Sequence, residues 1–74
     1  MAETMLNLRG LKCPLPALKT RKALTRLSAG DELVIECTDP LTTVDIPNLL
    51  RETGDALLDT RKQPNLFVFR IRKK

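Results

Sequence analysis

Apolar and polar positions alternate along this chain in two rhythms, and the switches between them define six elements. From Thr4 to Arg9, Leu6 and Leu8 point one way and Asn7 the other, a period of two that predicts a strand. Gly10 marks a turn. Beyond Cys13-Pro14-Leu15-Pro16 the rhythm becomes helical to about Leu27. Ala17, Thr20, Leu24 and Leu27 recur at spacings of three, four and three, with Leu18 at the edge of the stripe. Lys19, Lys22 and Arg26 form the basic face opposite. Gly30, after Ser28-Ala29, is placed to stop the helix in a left-handed conformation.

Glu32 to Thr38 reads as a second strand, with Leu33, Ile35 and Cys37 on one face and Val34, Glu36 and Thr38 on the other. Asp39 suits the N-cap of a second helix and Pro40 its first position, where a missing N–H costs nothing. Val44, Ile46, Leu49 and Leu50 carry that helix to about Thr53. Pro47 inside it predicts a kink or an irregular first turn, and Gly54 ends it. Ala56 to Arg61 is a third strand and Gln63-Pro64-Asn65 a turn. Leu66 to Arg72 is a fourth strand, with Phe67, Phe69 and Ile71 on the core face and Val68, Arg70 and Arg72 outward.

The order β-α-β-α-β-β predicts a two-layer α/β (α+β) sandwich. Each helix has one apolar stripe, so both belong on one face of a four-stranded mixed sheet whose last two strands are antiparallel. The other sheet face is left for solvent or a partner, and Leu57, Val68 and Val34 are expected on it. The expected state is a monomer, with weak self-association through that face.

Composition narrows the function. The 74 residues make one domain, and 42% hydrophobic content supports only a modest core. Any site must therefore sit at the surface and be completed by a partner. No run of apolar residues is long enough for a membrane span, and Met1-Ala2-Glu3-Thr4-Met5 lacks the basic start of a secretory signal. A cytoplasmic location follows as the default, and there two cysteines are expected reduced rather than bridged. The net charge of +4 attracts acidic proteins or nucleic acid without telling them apart. With only two aromatic residues, Phe67 and Phe69, both read as core, single-stranded RNA readout has little support. Histidine is absent, which removes the usual general base and the commonest metal ligand. No glycine-rich phosphate loop and no metal spacing of cysteines occurs, so neither cofactor nor metal is expected.

What remains is Cys13. It lies between the Gly10 turn and a helix start, where free N–H groups and the positive dipole end favour a thiolate. Lys12 is adjacent, and Arg21 or Lys22 is expected to come close; their charge acts in the same direction. Pro14 and Pro16 stiffen the corner. A thiolate without a proton shuttle is poorly equipped to hydrolyse amides or esters but can attack another sulfur. Cys37, alternating with Leu33 and Ile35, reads as core. Two rivals are a basic RNA- or protein-binding regulatory module without thiol chemistry, and a redox switch pairing Cys13 with Cys37.

The stretch Leu6-Asn7-Leu8-Arg9-Gly10-Leu11-Lys12-Cys13-Pro14-Leu15-Pro16 resembles the opening of the TusA/SirA-like sulfur-carrier family, with its Gly-x-x-Cys-Pro-x-Pro motif. Ala29-Gly30-Asp31-Glu32-Leu33 and Asp39-Pro40…Thr43…Asp45-Ile46-Pro47 resemble later family segments, in the same order and spacing. The resemblance implies the fold just described and a persulfide carried on Cys13. It implies sulfur taken from a cysteine desulfurase or rhodanese-like donor and passed to an acceptor protein. The downstream uses it implies are tRNA thiolation, cofactor synthesis and sulfur metabolism. Gly10, Lys12, Pro14 and Pro16 become the support of the loop. Arg21, Lys22, Asp39 and Asp45 become candidates for partner docking. Leu15 stands between the prolines, where the tRNA-thiolation branch often carries an acidic residue.

Overall fold

A computed structural model describes residues 3–74; the N-terminal reading of Met1 and Ala2 lies outside the described residues. The elements are β1 (Glu3–Leu8), α1 (Leu15–Leu24), β2 (Glu32–Cys37), α2 (Thr42–Thr53), β3 (Ala56–Gln63) and β4 (Leu66–Arg72). They form one four-stranded sheet in the order β1-β2-β4-β3. β1 and β2 are parallel; β4 is antiparallel to both β2 and β3. The two helices pack on each other, α1 over β2 and α2 toward β3. This is the expected sandwich. No helix among the described residues is long and apolar enough to cross a membrane.

The core lies between sheet and helices. Leu33, Ile35 and Cys37 of β2 and Phe69 and Ile71 of β4 come from the strand faces, and Leu24, Ile46 and Leu50 from the helix stripes. The period-two reading of both central strands therefore holds residue by residue. Gly54 ends α2 as expected, with φ 83° and its N–H donated to the Leu50 carbonyl at 2.8 Å.

Several boundaries shift for local reasons. The α-helix of α1 stops at Leu24, and the chain reaches Leu27 through tighter turns in which Arg26 and Leu27 donate to the carbonyls of Ala23 and Leu24. Gly30 is not the helix stop. It takes φ 89° in the turn ahead of β2 and donates its N–H to Lys73. α2 begins at Thr42, not beside Pro40. At its start Thr42, Thr43 and Val44 donate to the carbonyls of Asp39, Pro40 and Leu41, three residues back, while Pro47 sits inside the helix.

One placement is corrected outright. Leu57 does not lie on the open sheet face: it pairs with core-facing Ile71 and borders the α2 side with Pro47 and Leu50. A register shift between Leu57 and Asp59 reverses the alternation that placed it outside. Val34 and Val68 do lie on the open face. There Arg70 holds Glu3 at 2.7 Å and Glu32 at 2.6 Å, and Arg9 holds Glu36 at 3.2 Å, so Val34 is buried beneath its own protein's ion pairs.

Candidate functional site

Because β1 and β2 are parallel neighbours, the loops that leave them emerge on the same edge of the sheet. Outside the carboxyl ends of such strands is where open α/β sheets form their crevices. Here the loop from Arg9 to Pro14 meets the loop from Thr38 to Leu41. Gly10, at φ 80°, donates its N–H to Thr38 Oγ1 at 2.9 Å. Asp39 completes the tie. One carboxylate oxygen accepts the Cys13 N–H at 2.8 Å and the other the Leu41 N–H at 3.0 Å. These two N–H donors, with the charge of Lys12, hold the Asp39 carboxyl below the usual range. Asp39 thus fastens the cysteine loop from inside the protein, a structural task in addition to any docking.

Removing that carboxylate should loosen the loop. Asp39→Ala is expected to lower stability modestly, as loss of a cap does, and to raise the hydrogen exchange of the Cys13 and Leu41 amides. Amide exchange measured by NMR checks this; unchanged protection at both positions would show that the tie is idle.

The cysteine itself is exposed, and its peptide bond to Pro14 is cis. Its Sγ stands at the end of a groove of about 230 Å³ between α1 and α2, walled by Leu18, Arg21, Asp45, Leu49 and Glu52. Pro16 is buried under the start of α1, and Lys12 accepts the Leu15 N–H on its carbonyl at 2.9 Å. Leu15 and Leu18 on α1 and Leu41 and Val44 at the start of α2 leave apolar side chains exposed. Exposed apolar side chains of this kind are a feature of interaction surfaces.

The electrostatics depart from expectation. Cys13 donates its S–H to Asp45 Oδ2 at 2.6 Å. That hydrogen bond first, then partial loss of solvent around the sulfur, then the negative charges of Asp45 and Asp39, push the Cys13 thiol above its ordinary value. These neighbours favour the thiol, against the thiolate that the helix start and basic neighbours suggested. The cations are engaged elsewhere: Glu52 holds Arg21 at 2.8 Å, and Lys12 acts on Asp39. Lys22 is exposed and does not line the groove. Leu15, the first helical residue, spends its N–H on Lys12, and Pro16 has none to offer.

Of the nominated residues, the fold therefore gathers Cys13, Pro14, Arg21 and Asp45 in one groove, with Gly10, Lys12 and Asp39 on the loops behind it. The contact of Asp45 with sulfur, the tie through Thr38 and the pairing of Arg21 with Glu52 escaped the sequence reading. The parallel order of β1 and β2, which brings both helix starts together, hinted at the first, as did the resemblance that nominated Asp45 with Asp39. Cys37 is fully buried, and burial pushes its thiol up to about 11.

Comparison with known proteins agrees with this geometry. A protein of Neisseria meningitidis, provisionally named a sulfur carrier, is 38% identical over 74 residues, the whole of both chains. Sulfur carrier protein TusA of Allochromatium vinosum is 35% identical over 68 residues, 92% of this chain and 90% of its own. Its namesake from Pseudomonas putida is 35% identical over 72 residues, 97% and 90% of the two chains. Residues 4–73 match the family described as Sulfurtransferase TusA. With that match spanning nearly the whole chain and running through all six elements, the chain belongs to the TusA family of sulfur carriers.

Proposed function

We propose that this protein carries sulfane sulfur as a persulfide on Cys13, taking it from a cysteine desulfurase or rhodanese-like donor and handing it to an acceptor protein. The observation that supports it most is the exposed Cys13 lining a groove beside the exposed Leu18, while the other cysteine is sealed in the core. The exchange needs no cofactor. Cys13 gives up its proton, and its sulfur attacks the terminal sulfur of a donor persulfide R–S–SH. The donor S–S bond breaks, R–S⁻ leaves and takes up a proton, and Cys13–S–SH remains. Delivery repeats the step with Cys13 as the leaving group. No oxidant or reductant enters, because sulfane sulfur moves between two thiols. Transfer onward to tRNA thiolation, cofactor synthesis or sulfur metabolism is set by which acceptor covers the groove.

The test is to incubate the protein with cysteine and a cysteine desulfurase, then weigh it intact. A gain of one sulfur atom, mapped by peptide digestion to Cys13 and reversed by a reducing thiol, is expected. Loading on any other residue, or none from desulfurase and rhodanese-like donors alike, would overturn the reading.

A further inference from the structure

Sulfur carriers face a problem that the exposure of Cys13 makes acute: a persulfide open to solvent can be discharged by any small thiol. The neighbour at 2.6 Å from Sγ answers it. We propose that Asp45 is a positioning residue that holds the Cys13 proton in the empty carrier and slows loss of sulfur from the loaded one. Both restraints last until a positive charge from outside the chain pairs with its carboxylate. This rests on the persulfide reading of Cys13.

The argument is one of charge placement. Asp45 projects from the first turn of α2 toward a sulfur that stands on the loop ahead of α1. The ionisable groups facing Cys13 come from three directions: Lys12 on its own loop, Arg21 on α1, and Asp39, Asp45 and Glu52 on or before α2. Arg21 is paired with Glu52, and among the described residues no salt bridge reaches Asp45. The sulfur therefore sits in a net negative surrounding, and Coulomb repulsion opposes a thiolate there. The consequence differs between the two states. In the empty carrier the proton stays on sulfur, shared with Asp45. In the loaded carrier, discharge to a thiol must expel the Cys13 thiolate beside the same carboxylate, and a thiol that ionises reluctantly is a slow leaving group. One aspartate thus restrains both uptake and leakage. Among the described residues the groove lining offers no cation besides the paired Arg21, so relief comes with the partner.

Asp45→Asn keeps the size and an acceptor oxygen and removes the charge. Titrate the thiol by its reaction with a neutral disulfide, 4,4′-dithiodipyridine, across pH 6–11. Compare wild type with Asp45→Asn and Asp45→Glu, the last restoring a carboxylate. The titration midpoint of Asp45→Asn is expected below wild type, and that of Asp45→Glu nearer to it. Reaction at neutral pH should quicken by roughly three- to fourfold for each pH unit of that fall, since thiolate population rises while its nucleophilicity declines. Persulfide loaded on Asp45→Asn should be lost faster to dithiothreitol. An unchanged or raised midpoint in folded Asp45→Asn would overturn the proposal. So would release no faster than from wild type. Should Asp45→Asn fail to fold by circular dichroism, the Asp45→Ser variant is read by the same two criteria. The titration requires no loaded sulfur, so Asp45 can fail while the carrier reading stands, and the reverse.

Discussion

In Cys13→Ser, loading with sulfane sulfur is expected to fall to background, while Cys37→Ala loads one sulfur per chain as the unaltered protein does. A serine oxygen forms no persulfide, and no second exposed thiol exists to replace it. Cys37 is fully buried on the core face of β2, opposite Leu8 on β1 and Phe67 on β4. Burial holds its thiol near 11, so at neutral pH it is neither ionised nor reachable. Alanine is the better control there, because serine would bury a hydroxyl in an apolar core. At Cys13 the exchange should leave stability within about 0.5 kcal/mol, as exposed substitutions do, so lost loading cannot be ascribed to unfolding. Intact mass after incubation with donor, beside a thermal melt of each variant, makes the measurement. Equal loading of Cys13→Ser would remove the cysteine from the mechanism. Loss of loading in a folded Cys37→Ala would call for a two-cysteine relay, the redox reading that core burial disfavours.

How far the sequence reached depended on the range of the interaction concerned. Strand faces are local, set by a period of two, and β4 was read with its correct bounds and its correct inward side. Leu57 failed because a bulge changes the count of residues between its strand and β4, and only the pairing reveals it. Helix ends failed where the backbone made other bonds. Gly30 looked like a helix stop but serves the β2 turn by bonding Lys73, far along the chain. The motif around Cys13 was legible as a corner that presents sulfur. Its charge was not, because Lys12 is next in sequence whereas Asp39 arrives from the second loop and Asp45 from the first turn of α2. Sequence proximity overweighted the cation, and tertiary structure supplied the anions. The consequence is a Cys13 sulfur that is exposed yet held by an acidic neighbour.

The fold that supports this corner rests on few large side chains, and Phe69→Ala is the substitution expected to damage it most. Phe69 is 1% exposed on the core face of β4, one of the two central strands, opposite Ile35 on β2 and Thr60 on β3. It packs in one cluster with Leu24 of α1 and Ile46 and Leu50 of α2, so its ring joins sheet to both helices. Truncating such a residue costs about 3–5 kcal/mol through lost burial and the cavity left behind. A chain of 74 residues has roughly 4–11 kcal/mol of stability in all. The melting temperature should therefore fall by roughly 12–40 °C. By contrast Leu18→Ala, 55% exposed on α1, should leave it nearly unchanged. A shift of only a few degrees for Phe69→Ala would mean that the helices do not rest on this ring. The effect must also reach the sulfur, because the loops of Cys13 and Asp39 are held together only while β1 and β2 stay paired. Loading by Phe69→Ala should track its folded fraction as temperature rises, whereas loading by Cys13→Ser is absent even where the protein is fully folded.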